Sequence, residues 1–322
     1  MTTFRGELTM TSTALQTDRY TGPLDDVQRF APTARTSDLV ERLDPQADFN
    51  FRHFRMRHMI AELIRTARRT GIAPGEQAPD FALMTTAGDE LRLHDLRGKP
   101  VLLHFFSYTC PVTRGAVVPM KQLHDRYGNQ VTFVDIVVRQ AHPGEHHDAY
   151  DSFVNKMADA RDYQREEGIT WPVAVDDVTG TVQRAYGSLA ASIYLLDPRG
   201  RVAYYALWGQ SPPLTDAIDR LLRAKEGTTT PGPRTVDRVP HLGAAIVTGQ
   251  RGPLRGGLRP ILDLELGFPG AIVLMTVGWV LRPLLKPLVQ RTTPIPLYTR
   301  AAIVVIICVI TAPIWARRRS SR

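Results

Sequence analysis

The chain has 322 residues, 43% of them apolar and 22% charged, a composition that supports a folded core. The formal charge of +8 could suggest nucleic acid as partner, but the arginines cluster in the flanks, at Arg52–Arg57, Arg65–Arg69, Arg251–Arg259 and Arg317–Arg322. That pattern borders membrane-like segments and paves no duplex-binding face, so no nucleic acid partner is expected. Two cysteines, Cys110 and Cys308, exclude a disulfide framework.

Residues 1–45 are rich in Thr, Asp and Arg and hold no apolar run of signal-peptide length, which predicts a disordered segment without an export signal. Residues 46–72 read as a helix with Phe51, Phe54, Met59, Leu63 and Ile64 near one face, stopped by Gly71 and Pro74. It could pack on the domain, pair with a second copy or lie on a membrane.

From residue 73 to 227 short apolar runs alternate with turn chemistry. Phe81–Met84 and Glu90–Leu93 read as a hairpin, Val101–Phe106 as a buried central strand, and Pro111–Tyr127 as a helix with proline tolerated in its first turn. Val131–Val138 is a second buried strand, followed by a polar loop to His147 and a helix over Asp151–Glu167. A short strand at Pro172–Val175, a helix at Val178–Tyr186, a hairpin of Ser192–Leu196 with Arg201–Leu207 and a helix at Leu214–Lys225 complete the unit. This order predicts an α/β thioredoxin-like fold with an added N-terminal β-hairpin.

Residues 228–260, loaded with Thr, Pro, Gly and Arg, read as a linker, and 261–322 as a helical membrane hairpin made of Leu266–Leu285 and Ile295–Ala316 with a basic tail. With two spans, Arg251, Arg255, Arg259 and the C-terminal arginines share one side, outweighing Arg282, Lys286, Arg291 and Arg300 on the other. The balance of basic residues then places the redox domain on the cytoplasmic face of the cell membrane.

Cys110 stands between a buried strand and the first turn of a helix, where unpaired amides and the helix dipole favour a thiolate. Ser107, Thr109, Pro111 and Thr113 around it are polar or helix-starting. Strands β-parallel to each other end on one side, so the loop after Val138 can carry His142 toward Cys110 to handle its proton. His146 and His147 read as exposed loop residues, and no metal site is expected.

Phe106-Ser107-Tyr108-Thr109-Cys110-Pro111, a following helix, Val131-Thr132-Phe133 and then Gln140-Ala141-His142-Pro143 resemble the iodothyronine deiodinases and their bacterial relatives among AhpC/TSA-type redoxins. The resemblance covers about half the chain. It implies Cys110 as nucleophile and His142 in proton handling, with Ser107, Thr109, Pro111 and Thr113 supporting. It further implies a small-molecule electrophile, either a halogenated aromatic or a peroxide, and regeneration by an external thiol with no bound cofactor. Departures are Gln140 where the animal enzymes have Glu, Leu103 where peroxiredoxins have Pro, and Cys110-Pro111-Val112-Thr113 where thioredoxins have two cysteines. The remaining expectations are a one-cysteine peroxidase or an inactive thioredoxin-fold binding module, with membrane lipid as partner.

Overall fold

The computed structural model describes residues 49–68, 70–206, 211–224 and 242–293. The predicted disordered segment 1–45, most of the linker, the second apolar stretch, Cys308 and the basic tail lie outside the described residues. Helix α1 is Met56–Arg68, shorter than the 46–72 expected, because residues 49–55 enter as a non-helical strap. The strap inserts Phe51 and Phe54 into the protein, and α1 packs on the domain.

The central domain runs β1 (Ala82–Thr85), β2 (Glu90–Arg92), β3 (Val101–Phe106), α2 (Pro111–Tyr127) and β4 (Thr132–Val137). It continues through α3 (Phe153–Glu167), β5 (Val173–Val175), α4 (Thr181–Ala185), β6 (Ile193–Leu196), β7 (Val202–Ala206) and α5 (Ser211–Arg223). Its seven strands lie in the order β2-β1-β5-β4-β3-β6-β7, a thioredoxin-like sheet. Strands β3, β4 and β5 are parallel, with Val101 opposite Thr132 and Phe106 opposite Val137.

Every residue of β3 is buried, as a central strand covered on both faces requires. Leu103 and Phe105 point into one core, and Leu102 and Phe106 into the other. His104 takes part in neither: its Nδ1 meets Asp135 at 3.1 Å, and Tyr163 donates to the same carboxylate at 2.8 Å. This buried trio ties β3, β4 and α3 together.

The C-terminal part departs from the linker expected over 228–260. Helices α6 (Leu242–Thr248) and α7 (Arg251–Arg255) fall inside it, followed by α8 (Arg259–Gly267), α9 (Ala271–Val280) and α10 (Arg282–Val289). The glycines read as flexible punctuation instead permit close backbone approach. A Cβ on Gly249 would lie 2.2 Å from the Pro111 carbonyl oxygen, and one on Gly252 would lie 2.8 Å from Cys110 backbone atoms. These helices therefore form a cap seated on the start of α2.

Among the described residues no helix is long and apolar enough to cross a membrane. The expected first span is broken. Pro269 and a left-handed Gly270 (φ 90°) separate α8 from α9, which meet at 112°. By length and composition together the bent pair passes as a broken span or a re-entrant loop, and neither half passes alone.

Candidate active site

Cys110 occupies the N-cap of α2, with φ −79° and ψ 127°, and Pro111 stands at the first helical position. Its backbone N–H donates to the Ser107 carbonyl at 3.1 Å, closing the tight turn that leaves β3. The Ser107 N–H reaches the Thr113 hydroxyl at 3.4 Å, so the residue standing where thioredoxins carry a second thiol braces the loop. Cys110 is the free cysteine among the described residues.

Two opposing effects act on the thiol. Burial pushes it up, and hydrogen bonds from Thr113 and from the Val112 amide pull it down. Burial wins, so the expected thiolate at a helix N-terminus is corrected: beneath the cap, Cys110 is held protonated above its ordinary range. The helix start favours the thiolate as expected, but α6 and α7, concealed in sequence by the linker-like composition of 228–260, cover it.

The loop bearing His142 is stitched to the Cys110 loop by two of the polar residues singled out in the sequence, Ser107 and Thr109. The Ser107 hydroxyl accepts from the Ala141 N–H at 2.8 Å, and the Thr109 hydroxyl accepts from the His142 N–H at 3.1 Å. Thr109 in turn donates to Gln140 Oε1 at 2.8 Å. Gln140 passes the network on, donating to the Tyr150 hydroxyl at 2.9 Å and to Asp159 at 2.6 Å. Thr109→Val is expected to leave the His142 amide without its acceptor and to cost about 1–3 kcal/mol, read as a lowered urea midpoint.

His142 is buried, its ring 4.6 Å from that of Phe54, and its Nδ1 has no hydrogen-bond partner among the described residues. Burial, reinforced by the nearby Arg139 charge and opposed by Asp263, lowers its pKa to about 3. The imidazole is therefore neutral near pH 7. In the capped state burial disfavours an imidazolium, whether as donor to a leaving group or as acceptor of the thiol proton, and leaves a neutral ring able to accept a hydrogen bond.

Cys110 and His142 line one pocket of about 1150 Å³ of empty space, its open mouth included. Its floor comes from Cys110, Val112 and the Leu189–Ala191 loop, and its walls from Phe51 and Phe54 of the strap and from α1, α6, α8 and α9. The polar groups that join them are Arg139 and Glu62, which pair with each other at 2.8 Å. Such a lining selects an apolar molecule.

His147, expected to be exposed, is partly buried. Its Nδ1 meets Asp159 at 2.8 Å and its ring stands edge-on to Tyr108, because α7 covers this side. Arg255 lies 4.5 Å above the Tyr108 ring and pairs with Glu166 at 2.9 Å and with Glu167. Arg259 donates to the Gly144 carbonyl at 2.6 Å. Arg255 and Arg259, read in the sequence as topogenic charges, are the cap's fasteners. No cluster of three or more metal-ligating side chains occurs among the described residues.

Residues 74–205 match the AhpC/TSA family. The chain is 29% identical over 134 residues to the thioredoxin-like protein YneN of Bacillus subtilis, covering 41% of this chain and 71% of that one. It is likewise 29% identical over 135 residues to the thiol-disulfide oxidoreductase ResA of Geobacillus thermodenitrificans, covering 42% and 69%. Among solved structures it is similar to a thiol:disulfide interchange protein of the thioredoxin family from Chlorobium tepidum, at 22% identity and a TM-score of 0.36, covering 47% and 94%. Helix α1 and helices α6–α10 lie outside residues 74–205.

Proposed function

Taking residues 74–205 as an AhpC/TSA-type redoxin domain of thioredoxin fold, and the chain as an oxidoreductase on that ground, we propose that it is a one-cysteine thiol peroxidase for apolar organic hydroperoxides. The observation that carries this reading is a single thiol, with Thr113 in place of a partner cysteine, at the floor of an apolar pocket. Thiol–disulfide exchange of the two-cysteine kind has no second thiol in the described domain. Reaction with a small electrophile needs one.

In the proposed step the Cys110 sulfur attacks the distal oxygen of the hydroperoxide. An S–O bond forms, the O–O bond breaks, and the alkoxide leaves as alcohol after taking up a proton; the cysteine is oxidised to sulfenic acid. Two external thiols then reduce the sulfenic acid, releasing water and a disulfide. The Cys110 proton must leave before attack, and it passes to solvent, because the His142 imidazole is held neutral and can do no more than accept a hydrogen bond. The Thr113 hydroxyl and the Val112 amide hold the resulting thiolate.

A halogenated aromatic is the second reading, favoured by the aromatic wall of Phe51, Phe54 and His142, on which a ring could stack. In that case a sulfur–halogen bond forms as the carbon–halogen bond breaks, the carbanion takes a proton, and two external thiols reduce the sulfenyl halide, releasing halide and a disulfide.

The test uses the full chain with Cys308→Ser, so that Cys110 is the one thiol. Cumene hydroperoxide is expected to be consumed with dithiothreitol as reductant, with a dimedone adduct on Cys110. Cys110→Ser is expected to consume none above the uncatalysed rate. Consumption no faster than by free cysteine, with no adduct, would overturn the peroxidase reading, and release of iodide from an iodinated phenol would install the second.

A further inference from the structure

The pocket does not open into ordinary polar surface. Three residues of its lining, Leu63, Phe268 and Leu274, are 48%, 40% and 38% exposed, so they belong to the wall and the rim at once. Around them the apolar surface continues. Met56 and Ile60 stand exposed on α1, Leu262 and Leu266 on α8, Val273 and Val277 on α9. The pairs on each helix are four residues apart and share a face. Contiguous apolar surface of this kind marks a contact site.

Charge identifies what it contacts. Helix α9 carries no charged residue. The two carboxylates of α8 are engaged: Asp263 is buried against His53 and Arg55, and Glu265 accepts from the Gly270 and Ile272 amides at 2.7 and 2.8 Å. No Asp or Glu follows Glu265 in the sequence, whereas Arg282, Lys286 and Arg291 follow directly. Trp279 is exposed at the end of α9, as suits a headgroup-level aromatic. Beyond the described residues, Ala301–Ala316 is uncharged and ends in Arg317, Arg318 and Arg319. An apolar face with basic neighbours and no free acid complements an anionic bilayer.

We propose that the face built by α1, α8 and α9 rests on an anionic lipid surface and that the Cys110 pocket, opening through it, takes its substrate from the hydrocarbon phase. The inference rests on the reading of Cys110 as the reacting thiol and assigns the substrate class: an electrophile dissolved in membrane lipid. The membrane serves as the route of delivery as well as the place of attachment.

The experiment measures alkylation of Cys110 in the full chain carrying Cys308→Ser, which requires no turnover. N-dodecylmaleimide dissolved in vesicles of phosphatidylcholine and phosphatidylglycerol is compared with N-ethylmaleimide in water. Leu262→Glu, Val273→Glu and Val277→Glu, none of which lines the pocket, are combined. The triple variant is expected to react with the dodecyl reagent slower by on the order of tenfold, as three added negative charges repel the anionic surface. Its rate with the ethyl reagent is expected to be unchanged.

Equal dodecyl rates in the two proteins would overturn the proposal. So would a shift of the variant from dimer to monomer with equal rates, which would make the face a contact between copies. Should the variant misfold, brominated phospholipid supplies a second reading on the unaltered face: the fluorescence component removed by Trp279→Phe is expected to be quenched, and no quenching would overturn the proposal. Failure of cumene hydroperoxide turnover with normal alkylation would sink the peroxidase reading and leave this route standing.

Discussion

Gly115→Ala is expected to uncover the Cys110 thiol. By helix propensity alone the change should stabilise α2 by about 1 kcal/mol, since glycine costs that much in a helix interior. Packing opposes it. The added Cβ would lie 2.7 Å from the Ala244 carbonyl carbon, 2.8 Å from its oxygen and 3.0 Å from the Ala245 nitrogen. These are backbone atoms of α6 and have no rotamer by which to yield, so α6 must lift from α2. Its neighbours go with it, because Gly249 and Gly252 make equally close approaches to Pro111 and Cys110.

Lifting the cap admits water to Cys110 and removes the burial that holds its pKa up, while Val112 and Thr113 continue to favour the thiolate. Alkylation by N-ethylmaleimide near pH 7 should rise on the order of tenfold, one pKa unit's worth of thiolate. The midpoint of its pH dependence should fall from above the ordinary thiol range toward or below it. Adding Thr113→Val should move that midpoint back up. An alkylation rate and midpoint equal to those of the parent would mean that α6 and α7 do not control the thiol. The capped, protonated state has a plain chemical use: a thiol kept from water and from small oxidants until the cap or an apolar substrate changes its surroundings.

The central sheet was legible in the sequence because its signals are local. Val101–Phe106 is apolar throughout, Pro111 marks a helix start, and the Asp197–Gly200 turn sets the last hairpin. The polar residues around Cys110 were also legible as candidates, since Ser107, Thr109 and Thr113 had no reason to fill a core. The role of Ser107 and Thr109 in stitching two loops together became visible only with the partners Ala141, Gln140 and His142 in place.

The cap was not legible, for a physical reason. Gly249, Gly252, Gly256 and Pro253 carry the composition of a flexible linker, but a glycine that lets two backbones touch is indistinguishable in sequence from one that lets a chain bend. The same ambiguity hid the part that Arg255 and Arg259 play in fastening the cap. Gly115, set inside a predicted helix at a stability cost, was the local signal of close approach that could have indicated a partner for α2.

His142 should make the protein acid-sensitive in a way that a phenylalanine at the same position would not. Its pKa falls from 6.5 to about 3 on burial. The unfolded chain therefore binds the proton that the folded chain refuses, so this contribution to stability is fully present above pH 6.5 and is lost as pH falls toward 3. Between pH 7 and pH 5 the loss from this group alone is about 2 kcal/mol. His142→Phe keeps a ring against Phe54, removes the unpartnered Nδ1 and removes the titration. Unfolding free energies of the two proteins from urea titration should nearly coincide at pH 7 and separate by about that amount at pH 5, with the variant the more stable. Equal slopes of stability against pH would show that His142 is hydrated or paired in solution. The same titration bears on the chemistry: a ring neutral from pH 5 upward contributes no acid limb near 6.5 to peroxide consumption, so the pH profile should follow the Cys110 thiol alone. A limb near 6.5 that disappears in His142→Phe would instead place a protonated imidazole in the working state and require the cap to open before reaction.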